Sequence, residues 1–246
     1  MDETDVKALE DGLVALGVAT PPGAVAGIVQ HLGMVSEWNE RVNLTAVRLP
    51  REMVLKHAVD SASLLSVVQI GPGSAVADVG TGAGFPGITV KCLVPRANVV
   101  LIDSLAKRCR FLEAVGAEVV SQLPGVGGCF EVVWSRAEDV GLKAGYREQF
   151  DVVVARAVAE LRVLAELCLP LCRVGGEFVA MKGPAVEAEV DRAANALTVL
   201  GGRVEEVKVV ELPEGAGGRT LVRIRKTRPT PNGYPRKAGT PERQPL

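Results

Sequence analysis

Aromatic residues are scarce in this chain. Five Phe, two Trp and two Tyr make up 4% of its 246 residues. A core must therefore be assembled from Val, Leu, Ala and Ile. Hydrophobic residues of all kinds reach 48%, enough for one α/β domain with an appendage. Histidine is scarcer still, at two residues. The five cysteines (Cys92, Cys109, Cys129, Cys168, Cys172) form no C-x-x-C pair and fit no metal-ligand spacing. A zinc framework and a disulfide scaffold are thereby excluded, and a reducing cytoplasm is the simple reading. No apolar run is long enough to span a membrane, and the acidic N-terminus lacks a signal-peptide pattern. The expectation is a cytoplasmic protein that uses neither membrane nor metal. Net charge is −1, so the chain as a whole does not announce nucleic acid. That balance hides a polarity. Residues 1–40 carry seven acids against Lys7, and residues 223–246 carry seven basic residues against Glu242.

The organising stretch is Val76 to Gly87, Val-Ala-Asp-Val-Gly-Thr-Gly-Ala-Gly-Phe-Pro-Gly. An apolar strand turns through Gly80, Gly82 and Gly84 and enters a helix near Pro86, a residue suited to a first helical turn. Glycines between a strand and a helix let backbone approach a ligand with no Cβ in the way. The helix start adds free N–H groups and a positive dipole end. Gly82, Gly84 and Gly87 fit the G-x-G-x-x-G dinucleotide pattern, but the strand ends at Gly80. The better parse is Asp78-x-Gly80-x-Gly82-x-Gly84, which resembles motif I of the S-adenosylmethionine-dependent methyltransferases. Asn98 to Ile102 reads as the next strand. Asp103 closes it, where a second acid takes the ribose hydroxyls of such cofactors.

Around this stretch the pattern alternates. Helical spacing covers residues 4–19, about 24–41, and a run from about Pro50 towards Leu65. Strands are expected near 76–80, 98–103, 129–134, 150–155, 176–181, 204–211 and 219–226, with helices between most of them. The last two are joined by Pro213 to Gly218 with no helix, which means a hairpin. The expected fold is α/β and Rossmann-like: a seven-stranded, mostly parallel sheet with one antiparallel edge strand. Residues 1–72 would form an N-terminal helical cap and 73–226 the cofactor-binding domain. Residues 227–246, rich in Pro, Gly and charge, would form a basic disordered tail.

A more specific resemblance follows from several separated blocks. Trp38-Asn39, Asn43-Leu44-Thr45 and His57-x-x-Asp60-Ser61 look like the N-terminal signature of the RsmG (GidB) family, which methylates N7 of a guanine in 16S ribosomal RNA. Asp78 to Gly87, Asp103-Ser104-Leu105-x-Lys107-Arg108, Ser135-Arg136-Ala137-Glu138, Ala155-Arg156-Ala157, Met181-Lys182-Gly183 and Tyr234 to Pro241 match its later blocks. Ala155 stands where the family usually has Ser, and the glycine-rich loop Leu123 to Gly128 has no counterpart. The resemblance implies S-adenosyl-L-methionine as cofactor. It implies cofactor contacts at Gly80, Phe85, Asp103, Ser104, Ala137, Glu138 and Arg156, beside Gly82 and Gly84 of motif I. It also implies as partner the small ribosomal subunit, or an assembly intermediate of it, with the target guanosine in the decoding region. A monomer is expected.

The remaining candidates are read from chemistry alone. Asn39, Asn43 and Arg156 are candidates for positioning the substrate, although helix capping explains the two asparagines almost as well. Arg136, Lys182, Arg236 and Lys237 are candidates for RNA phosphates. The tail as a whole is expected to serve RNA and to leave cofactor affinity untouched. His57 and Asp60 share a helix face, as a catalytic pair or as a structural one. No Ser–His–Asp triad or phosphate P-loop is present. N7 of guanine has an in-plane lone pair and no proton to lose, so no general base is expected. Rival readings are a methyltransferase for small molecules or proteins, an NAD-dependent oxidoreductase on the G-x-G-x-x-G parse, and a non-enzymatic ribosome-binding protein.

Overall fold

The computed structural model describes residues 1–156, 159–184 and 186–246; Ala157 of the Ala155-Arg156-Ala157 block lies outside the described residues. The chain opens with α1 (Glu3–Ala15) and α2 (Ala24–Val42). A third helical run follows: α3 (Pro50–Met53), a π-helical turn (Val54–Val59) and α4 (Asp60–Ala62). The alternating part is β1 (Ala75–Val79), α5 (Gly87–Leu93), β2 (Asn98–Asp103), α6 (Ala106–Glu118), β3 (Phe130–Trp134), α7 (Ala137–Val140), β4 (Phe150–Arg156), α8 (Leu161–Cys168), β5 (Cys172–Lys182) and α9 (Glu187–Leu200). A hairpin of β6 (Gly202–Glu211) and β7 (Gly218–Lys226) completes the sheet, and α10 (Thr240–Arg243) lies near the C-terminus.

The sheet order is β3-β2-β1-β4-β5-β7-β6. β1 to β5 pair in parallel, and β7 pairs antiparallel to both β5 and β6. The antiparallel edge is thus the hairpin, with β7 reversed inside it and β6 outermost. A β-strand sends alternate side chains to opposite faces, and β4 shows the consequence. Val152 and Val154 join one core with Leu32, Ile88, Leu101 and Leu112, while Val153 and Ala155 join the other with Leu161, Leu164 and Phe178. The first core also takes Leu9, Leu13 and Ile28 from α1 and α2. The helical segment of residues 1–72 therefore covers one face of the sheet and shares its core.

The glycine-rich loop at 123–128 is part of this packing. Leu123 is buried, a Cβ on Gly23 would run into Pro124, and Lys91 Nζ donates to Gly127 O at 2.8 Å.

The tail corrects the expectation of disorder. Arg147 donates to the carbonyls of Thr230 and Tyr234, both at 2.8 Å. Lys226, fully buried, donates to Leu169 O at 2.7 Å and to Thr230 Oγ1. Arg236 grips Glu166 of α8 with Nη2 at 2.6 Å and Nε at 2.9 Å. Composition predicted disorder because the segment has few apolar side chains. It is instead held by charged groups that satisfy its backbone carbonyls and its own cation, which a hydrophobicity argument does not register.

Candidate active site

The glycine turn sits at the carboxyl ends of β1 and β2, where ligands of α/β sheets bind. Asp78, fully buried, ties both ends of the turn: its Oδ2 accepts from Thr81 Oγ1 at 2.6 Å and from the Gly87 N–H at 2.8 Å. Burial raises its carboxyl pKa to about 6. α5 begins at Gly87, one residue beyond the expected Pro86. A Cβ on Gly87 would lie 2.2 Å from Leu101 Cδ2, so only glycine lets the helix lie this close to β2. Gly82 is different. Its φ is +61°, and a Cβ there would meet nothing within 4 Å. It borders a cavity of about 650 Å³ shared by the glycine turn, Asp103, Ser104, Arg156, the 44–47 loop and Arg219.

Asp103 is held beside Gly82. Its Oδ2 accepts the Gly82 N–H at 3.0 Å and faces Arg108 Nη1 at 3.4 Å, while Oδ1 accepts from Leu105 N at 2.9 Å. A second cavity of about 150 Å³ adjoins the first and shares Gly80, Asp103 and Ser104 with it. Ala137 and Glu138 line this smaller space, as do the apolar Val79, Ile102, Val163 and Leu167. The small cavity mixes apolar side chains with the charged Asp103, Arg136 and Glu138, and the large one is wide, with more cations (Lys56, Arg108, Arg156, Arg219) than acids. The pair fits a nucleoside joined to a charged amino acid, with an open cradle at Gly82. Gly80, Gly82, Phe85, Asp103, Ser104 and Arg156 all border the larger cavity. Gly84 does not border it, because its Cβ direction points into Ile88 at 2.5 Å.

A column of rings joins the helical layer to the turn. His31 of α2 is fully buried between Phe85 (4.6 Å between centroids) and Phe111 (6.1 Å), and its Nε2 lies 2.7 Å from Ala83 O. His57 also stacks on Phe85, at 4.8 Å between centroids. Arg156 lies over the same ring, 5.3 Å from its centroid. Burial pulls the His31 pKa down to about 4. Burial, and then the Arg156 charge, pull His57 down to about 3. Both rings are neutral near pH 7.

The His57–Asp60 pairing does not form. His57 Nε2 lies 2.8 Å from Thr45 Oγ1. Asp60 Oδ2 accepts from Arg156 Nη1 at 3.0 Å and pairs with Arg219 Nε at 3.2 Å. The π-helical turn through Val59 is wider than an α-turn, so residues three apart no longer stack. Asn39 and Asn43 also lie elsewhere. Asn39 is buried; its Oδ1 accepts from Leu44 N (2.6 Å) and Thr45 N (3.0 Å), and its Nδ2 donates to Thr45 O (2.9 Å). Asn43 is exposed at φ 51° as the cap of α2. Their work is to set the loop that presents Leu44, Thr45 and Val47 to the cavity.

Two RNA candidates have partners within the chain. Lys182 Nζ donates to Ala159 O at 2.7 Å and pairs with Glu189 at 2.8 Å, and Arg236 is matched by Glu166. Arg136 and Lys237 are exposed. Sequence reasoning missed Arg219 and His31. Arg219 carries no local signal, since its partner lies in a distant helix. His31 does carry one: a histidine among Ile28, Leu32 and Val35 on the apolar face of α2.

The histidines set an acid limit on stability. An unfolded chain binds a proton on each imidazole below about pH 6.5, whereas the folded chain resists until about pH 4 and 3. Stability is therefore fully present above pH 6.5 and is lost as pH falls through the lower values. Asp78 acts in the opposite sense between about 4 and 6, because its raised pKa favours the folded state in acid. Two groups oppose one, so the melting temperature should fall from pH 7 to pH 4. For His31 the limit is on the order of 3 kcal/mol. Thermal melts of the native chain and His31→Gln check this. The slope should be shallower in the variant, and an equal slope would remove His31 from the account.

The sequence matches the family model described as GidB, rRNA small subunit methyltransferase G, over residues 25–216. The chain belongs to this family. A ribosomal RNA small subunit methyltransferase G from Symbiobacterium thermophilum is 58% identical over 247 aligned residues, covering 100% of both chains. The protein of the same name from Pelotomaculum thermopropionicum is 43% identical over 97% of each, and that from Desulfitobacterium hafniense is 50% identical over 85% of this chain and 84% of its own. Among solved structures, MtNAS in complex with MTA and tNA shares the fold, with a TM-score of 0.53 at 14% identity over 80% of this chain and 71% of that one. No helix among the described residues is long and apolar enough to cross a membrane.

Proposed function

We propose that this protein transfers the methyl group of S-adenosylmethionine to N7 of a guanosine in the decoding region of 16S ribosomal RNA. Within its family, the observation that supports this reading is the joined pair of cavities at the glycine turn, a small one beside Asp103 and Glu138 and a wide one lined by several cations. When bound, the sulfonium cofactor supplies an activated methyl group. The chain's own residues bind and orient. Asp103, held by backbone N–H groups, presents its carboxylate to the ribose hydroxyls. The glycine turn keeps space clear at Gly82. Phe85 is packed against two rings and a guanidinium and forms the floor beside Arg156. The 44–47 loop, pinned by Asn39, forms the opposite rim, where an unstacked base would enter. Exposed Arg136 and Lys237 remain the candidates for phosphate contact.

Neutral His57 has no proton to remove, since N7 attacks through a lone pair. Alignment is the whole task, and proximity alone supplies roughly 7–11 kcal/mol in favourable cases. The test is methylation of small subunits from cells lacking this activity, with the site located by chain scission at N7-methylguanosine. The single-turnover rate should be nearly flat between about pH 6.5 and 9, and His57→Gln should keep most of it. A log-linear rise with pH would move the acceptor to an exocyclic amine or a hydroxyl.

A further inference from the structure

The smaller cavity is lined in part by the chain's own C-terminal segment. Gly239, Pro241 and Glu242 line it together with the residues at the ends of β1 and β2. The segment is seated from two directions. Gly239 N–H donates to Glu138 Oε1 at 2.8 Å, and Glu138 is itself buried in the cavity wall. Three residues earlier, Arg236 makes its bidentate pair with Glu166, a carboxylate only 1% exposed, whose Oε1 also accepts the Arg236 backbone N–H at 2.8 Å. Pro241 is buried between these anchors and the C-terminus. The segment thus belongs to the wall of a ligand-sized space.

We propose that Gly239–Glu242 form the outer wall of the subsite for the cofactor's adenine, so that tail docking and cofactor binding stabilise each other. The inference rests on the cofactor site described above. Val79, Ile102, Leu167 and Pro241 give the space its apolar surface, and Ser135, Glu138, Asp103 and Arg136 stand among them as polar and charged edges. That chemistry suits a purine and not the charged amino-acid end, which belongs with the cations of the larger cavity. An adenine buried between the sheet edge and Pro241 loses water from both faces, whereas without the tail one face stays wet. Linkage then works both ways: a ligand that binds only the docked tail must hold the tail down. The tail is therefore a cofactor-binding element, contrary to the expectation from its basic composition.

Two measurements on the full chain test this. The first is calorimetric titration with S-adenosylhomocysteine and with 5′-methylthioadenosine, which lacks the amino-acid end. Pro241→Asp should weaken both ligands alike by about tenfold or more, the worth of one lost apolar face. The paired variant Glu166→Gln with Arg236→Ala, which unpins the tail without leaving a buried charge, should act in the same direction. The second is trypsin digestion followed by intact mass. Cleavage after exposed Lys237 and Arg243 should slow about tenfold with either ligand and not with methionine. Asp103→Ala serves as the control for the site itself. If it loses affinity while both tail variants bind within about twofold of the native chain and the ligands give no protection, the wall is overturned and the site stands. If Asp103→Ala binds normally, the site reading fails first.

Discussion

Gly82→Val should leave a folded protein that no longer binds S-adenosylhomocysteine measurably, a loss on the order of a hundredfold or more. Two causes act together. Gly82 has φ +61°, and holding a branched residue there costs roughly 1–3 kcal/mol. The new side chain would also stand in the larger cavity, because nothing else lies within 4 Å of its first atom. The same geometry predicts a contrast two residues on. A Cβ on Gly84 would lie 2.5 Å from Ile88 Cγ1 and 3.1 Å from Leu112 Cδ2, so Gly84→Ala should lower the melting temperature and weaken binding only as the turn is disturbed. Calorimetry and melts on both variants check the pair. Native affinity in Gly82→Val would remove the glycine turn from the cofactor site.

Much of this arrangement was legible in the sequence because its signals are local. A strand, three glycines and a helix start lie within a dozen residues, and Asp103 is announced by the end of the next strand. The hairpin of β6 and β7 followed from a link too short for a helix. What was not legible depends on pairs distant in sequence. Arg236 read as a phosphate ligand because nothing near it shows Glu166. Lys182 reads the same way until Glu189 and the Ala159 carbonyl are placed beside it. Asn39 and Asn43 read as substrate residues or, almost as well, as helix caps; the left-handed turn at Asn43 caps α2 and brings Leu44 and Thr45 back onto the Asn39 amide. The tail failed for a further reason. Disorder is inferred from the lack of apolar surface, and this segment is held by hydrogen bonds to carbonyls and by one buried ion pair.

Asp60→Ala should cost about 3 kcal/mol of stability, the largest effect expected outside the apolar core. Its carboxylate is 2% exposed and is shared by two guanidiniums, Arg156 at 3.0 Å and Arg219 at 3.2 Å. One arginine comes from β4 and the other from β7, so this carboxylate ties two strands to the helical layer. Removing one member of a buried charge cluster typically costs roughly 3–5 kcal/mol, because the remaining charges are left uncompensated. The lower end applies here, since both arginines border an open cavity and water can reach them. Exposed pairs set the contrast: Lys7 and Asp11 are joined at 2.9 Å with side chains 73% and 65% exposed, and Asp11→Ala should cost at most about 0.5 kcal/mol. Two arginines without their carboxylate also form an anion site. Sulfate should therefore raise the melting temperature of Asp60→Ala more than that of the native chain, and Asp60→Ala/Arg219→Met should recover part of the lost stability by removing one stranded charge. Urea unfolding of the three variants measures this. A loss below about 1 kcal/mol in Asp60→Ala, with no sulfate response, would show that the two arginines are held by other groups and that Asp60 does not organise the cationic wall of the site.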